Sequence, residues 1–144
     1  MIASFERVLD AAFLPPPGER EGSEGQRRRR RRRRRLVFFG PKFEPWLQDH
    51  PTSRKVYVKL SKSMRRACDR HLHREDIKFI DCLTMFCGDS ATVPGAVLGG
   101  KAVPVKDFFD SDGLHLSDAG YLVWRDEVNC VLEHIIAQIT EVGE

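Results

Sequence analysis

The stretch Phe108–Trp124 reads FFDSDGLHLSDAGYLVW, and in it Asp112 stands three residues before His115, with Gly113 and Leu114 between them. Residues at i and i+3 of a tight turn lie side by side. An Asp112 carboxylate can therefore accept a hydrogen bond from the His115 Nδ1–H. That bond selects the tautomer whose Nε2 is free to take a proton, and it stabilises the imidazolium that results. Such a pair is general-base machinery, and a base of this kind serves a weak nucleophile such as a serine hydroxyl. A plainer role also fits the spacing, with Asp112 capping a turn and His115 a surface histidine.

The elements around the pair follow from periodicity. Ile2, Phe5, Val8, Leu9, Ala12 and Phe13 fall at helical spacing, and the PPPG at 15–18 stops that helix. Residues 19–35 are low-complexity, Gly, Ser and Glu followed by arginines. LVFFG at 36–40 has the pattern of a buried parallel strand, and PKFEPWLQDHP reads as a loop. A helix is predicted from Thr52 or Ser53 to Leu72, with Val56, Leu60, Met64, Ala67 and Cys68 on one stripe. IKFIDCLTMF, Ile77 to Phe86, is expected to be a second strand, and CGDSATVPGAVLGGKAVP a loop. Ser117 is expected to cap a last helix whose apolar face is Tyr121, Trp124, Val128, Val131, Leu132, Ile135 and Ile139. Strand, helix, strand, helix implies an α/β class with parallel strands. Two strands are few for such a sheet, so the chain is expected to be the back half of a larger α/β domain. The expected organisation is a helix and Pro-rich stop at 1–18, a disordered Arg-rich insert at 19–35, and that domain portion at 36–144.

FIDCLTMF followed by FFDSDGLHLSDAGYLVW resembles the closing section of SGNH/GDSL-type hydrolases, small serine esterases whose last block is Asp-x-x-His. The likeness runs from about Leu36 to Ile139, with Asp112 and His115 on the two motif positions. It implies a partial flavodoxin-like three-layer fold with the N-terminal part of the domain missing. It further implies His115 as general base, Asp112 as its orienting partner, and cleavage of small acyl or acetyl esters with neither metal nor cofactor. The family's serine nucleophile lies in a Gly-Asp-Ser block near the start of its domain, and a Gly-x-Asn-Asp block completes the oxyanion hole. Neither is found where the likeness places it, and the one asparagine is Asn129, within the last predicted helix. Gly88-Asp89-Ser90 copies the nucleophile block in letters, yet it falls 25 residues before His115 and runs into VPGAVLGG, which cannot start a helix. Ser90 is therefore a weak candidate nucleophile, better read as a loop residue.

The bulk values are those of one modest globular domain: 144 residues, 41% apolar and 31% charged. The net charge of +3 becomes −6 once nine consecutive arginines are set aside. Basicity thus belongs to Arg27, Arg28, Arg29, Arg30, Arg31, Arg32, Arg33, Arg34 and Arg35. They form the alternative site, binding nucleic acid or another polyanion, in a chain that would then be a non-catalytic remnant. Against it, no aromatics are interleaved for base stacking, and a solvated, expanded loop explains the run equally. Cys68, Cys82, Cys87 and Cys130 show neither CxxC nor zinc-finger spacing, so reduced thiols are expected. MIASFERVLDAAFL lacks a continuous apolar core, and no apolar run approaches about 20 residues, so neither a secretory signal nor a membrane span is expected. A cytoplasmic protein is the reading, with the arginine run as a candidate nuclear import signal.

Overall fold

The computed structural model of the chain describes residues 2–14, 34–88, 97 and 102–141. Its elements are α1 (Ile2–Phe13), β1 (Leu36–Phe39), α2 (Pro51–Arg70), β2 (Ile77–Ile80), α3 (Cys82–Met85) and α4 (Asp118–Glu141). Helices dominate, and the described residues form one two-stranded parallel sheet. The chain divides into two compact units, one from Met1–Phe39 with Lys62–Ile80, the other from Gly40–Ser61 with Asp81–Glu144. No helix among the described residues is long and apolar enough to cross a membrane.

The first unit holds the sheet. Leu36, Val37, Phe38 and Phe39 pair in parallel with Ile77, Lys78, Phe79 and Ile80. Branched and aromatic side chains suit such a pleated surface, which is half-buried at all four positions of β1 rather than fully buried as its apolar run suggested. Leu9, Cys68 and Phe79 form its buried centre, with Phe5, Phe38, Met64, Ala67 and Ile77 packed around them. The Phe5 and Phe38 rings meet edge to face at 5.0 Å. Arg34 donates to the Ala12 and Leu14 carbonyls at 2.9 and 2.7 Å, satisfying acceptors that α1 leaves open at its end. Arg35 reaches Asp76 at 3.5 Å.

The second unit is built on Phe43, Leu47, Val58, Leu83, Cys87, Val97 and Ala102, with Tyr57 packed against them. Phe43 and Leu47 are fully buried, though they come from the segment expected to be a loop. That segment folds as a 3-10 turn over Pro45–Asp49, and each of these two side chains contributes about 2 kcal/mol by leaving water.

Three expectations need correction. The second strand ends at Ile80, not Phe86, because the Asp81 side chain accepts from the Leu83 N–H at 3.1 Å and starts the short helix α3. The middle helix starts at Pro51, where a residue lacking an N–H fits the first turn, and ends at Arg70. The expected apolar face of α4 is mostly uncovered: Val131 is buried, Val128 and Ile135 are half-buried, and Tyr121, Trp124 and Leu132 are exposed. The buried line of α4 passes instead through Gly120 and Val131, about three turns apart, along one flank of that face.

Cys68, Cys82 and Cys87 are buried thiols and Cys130 is an exposed one. Burial pushes Cys82 up to about 12, with the Asp81 charge adding to it, and Cys87 up to about 11. Burial raises Cys68 too, helped by Asp69. The thiolate is the reactive form, so these three should be inert in the native protein. A disulfide-exchange reagent should consume one fast thiol natively, removed by Cys130→Ser, and four after unfolding. A second fast thiol in the native state would contradict this packing.

Candidate active site

The turn that carries Asp112 and His115 is folded onto itself. The Asp110 N–H donates to the His115 carbonyl at 2.9 Å, and the Gly113 N–H to the Asp110 carbonyl at 2.8 Å. Phe109 and Leu116 form an antiparallel bridge, and the Ser117 N–H donates to the Phe108 carbonyl at 3.1 Å. Ser117 is also the N-cap of α4, as expected: its hydroxyl donates to the Asp107 carbonyl and accepts from the Gly120 N–H.

The two glycines of DGLHLSDAG serve different ends. Gly113 has φ +65°, a left-handed conformation that costs a side chain about 1–2 kcal/mol. Gly120 is required by space, since a Cβ there would lie 2.0 Å from the Phe108 carbonyl oxygen.

Within this turn Asp112 accepts three hydrogen bonds. Oδ1 takes the Leu114 and His115 backbone N–H groups at 2.8 and 2.9 Å, and Oδ2 takes the His115 Nδ1–H at 2.5 Å. The ring N–H first, then the two backbone donors, hold the Asp112 carboxyl well below the usual carboxylate range. A carboxylate so held stays ionised and fixes the ring's tautomer and orientation. The His115 side chain is 69% exposed, so that nitrogen is open to an incoming group. Among the described residues Nε2 has no hydrogen-bond partner.

A neighbouring group escaped the sequence reading. The Lys42 ammonium donates to the Leu114 carbonyl, lies 3.8 Å from Glu44 Oε1 and sits 5.7 Å from the Phe109 ring centroid. Glu44 is buried, and its second oxygen accepts from the Trp46 indole N–H. A buried carboxylate needs partners of this kind. The three prolines of this segment suggested a plain loop; a lysine, a glutamate and a tryptophan at alternate positions were the available signal.

The other candidate residues stand apart from this turn's hydrogen bonds. Ser90 and Arg27–Arg33 lie outside the described residues. Arg34 and Arg35, expected to be mobile and free for a polyanion, are instead engaged with the end of α1 and with Asp76. Asn129 is exposed on α4. Among the described residues no group of three or more His, Cys, Asp or Glu side chains is placed to hold a metal ion. No protein-family model matches the chain, and no curated protein and no solved structure matches it.

Two outcomes follow from this geometry. Gly120→Ala should destabilise the protein by about 1–3 kcal/mol in urea unfolding, because backbone rather than a flexible side chain must move. An unchanged midpoint would mean that α4 does not close on Phe108. For Asp112 the folded value is depressed, so its contribution to stability is present above the unfolded value of about 3.9 and lost as pH falls through the lower folded value. The Leu114 amide proton should therefore keep its native chemical shift through pH 3.9, with its midpoint at more acid pH. A midpoint at the ordinary value would show that these donors do not hold the carboxylate.

Proposed function

We propose that Asp112 and His115 are the orienting acid and the general base of a serine esterase of the SGNH type, acting on small acyl or acetyl esters. The observation that carries this reading is the 2.5 Å contact between His115 Nδ1 and Asp112 Oδ2, on a ring whose other nitrogen is exposed and without a partner among the described residues. In such a site Nε2 takes the proton of a serine hydroxyl as the oxygen attacks the ester carbonyl. The same proton passes to the departing alcohol, and a water, deprotonated in turn, releases the acid from the acyl-serine. Neither metal nor cofactor is needed. The reading places the serine and the oxyanion donors outside the described residues. It also carries the finer fold expectation, in which β1 and β2 are two strands of a three-layer, flavodoxin-like parallel sheet.

A fluorophosphonate probe tests it. The 144-residue chain is expected to stay unlabelled. A chain extended in frame through an upstream Gly-Asp-Ser block is expected to take the label and to hydrolyse p-nitrophenyl acetate. His115→Ala should abolish both, and Asp112→Asn should slow turnover by roughly 10⁴-fold. An extended chain that neither labels nor turns over would sink the proposal. Labelling of the short chain that Ser90→Ala removes would move the nucleophile to Ser90.

A further inference from the structure

We infer that Lys42 is a positioning residue for His115, acting on the peptide unit that carries it. The inference rests on the proposed role of His115 and assigns that site a residue from a distant part of the chain. The Leu114 carbonyl and the His115 N–H belong to one planar unit, whose two polar ends point in opposite directions. Asp112 Oδ1 holds the N–H end at 2.9 Å, and the Lys42 ammonium holds the carbonyl end. With both ends gripped, rotation of this plane is opposed from either side. The plane sets the direction of the His115 Cα–Cβ bond, and therefore where the ring meets Asp112 Oδ2.

Lys42 is itself held. Glu44 lies 3.8 Å from its ammonium, and the Trp46 indole anchors the far oxygen of that buried carboxylate. The ammonium also sits 5.7 Å from the centre of the Phe109 ring, a favourable place for a cation. Phe109 bridges to Leu116, the residue after His115, so the group that positions Lys42 is part of the turn Lys42 restrains. A lysine kept only for solubility would have neither a buried counter-charge nor a carbonyl of the reactive turn.

The test is NMR on ¹⁵N-labelled protein, reading the His115 ring Nδ1–H signal and the exchange of the His115 amide. Lys42→Met keeps the aliphatic stem and removes the donor. The amide should exchange about tenfold faster, the effect of losing one hydrogen bond to a charged group, and the ring signal should broaden into exchange with water. Lys42→Arg should restore both. Protection of amides in α4 and the sheet serves as the control for folding. Should Lys42→Met fail to fold, Glu44→Gln keeps the acceptor for Trp46, removes the charge beside Lys42, and should shift both readouts the same way by about threefold. Wild-type ring signal and exchange in a folded Lys42→Met, or in Glu44→Gln where that is the variant read, would overturn the inference. A wild-type protein with no Nδ1–H signal would instead refute the esterase reading, and the amide exchange alone would then decide Lys42.

Discussion

Asp112 receives three N–H donors within four residues of chain, and the chemistry proposed for this protein depends on that convergence. Two donors are backbone groups, which the turn must present whatever the state of the ring. They add to the larger hold of the ring N–H on the ionised carboxylate and keep it aimed, so that the imidazole meets a fixed negative partner instead of a mobile one. The turn in turn requires a left-handed residue at Gly113 and a residue without a Cβ at Gly120. Both glycines, the aspartate and the histidine therefore form one physical unit, joined to α4 through the Ser117 cap.

The support for this turn comes from a segment with little regular structure. Between β1 and α2 the chain buries Phe43 and Leu47 completely, and that anchoring positions Lys42 and Glu44 on either side of Phe43. An ion pair on an open surface is worth little, but Lys42 also has a carbonyl and an aromatic ring, and Glu44 is buried against Trp46. Binding and catalytic residues are disproportionately found on loops that the packed elements around them position.

Much of this was legible in local sequence. DGLHLSDAG specified the Asp–His contact and the Ser117 cap, since each closes over three positions of the chain. LVFF and IKFI specified two strands that pair in parallel, with the helix between them long enough for the crossover that parallel pairing needs. The extension of the second strand to Phe86 misled because Cys82, Leu83, Met85 and Phe86 are apolar enough for a strand. The competing bond from Asp81 to the Leu83 N–H outweighed that pattern.

What tertiary structure alone decided concerns partners far apart along the chain. Nothing in the letters places Lys42 against Leu114, 72 residues away, or turns Glu44 inward to meet it. Nor does helical periodicity say how much of an apolar face will be covered: α4 has the stripe, yet Val131 is buried while Tyr121 and Leu132 stay exposed. The physical reason is common to both cases. Turn and cap bonds close over a few residues at small entropic cost and are written in local residue types. Burial and long-range ion pairing depend on which surfaces the folded chain brings together, and one stretch of sequence carries only half of each such contact.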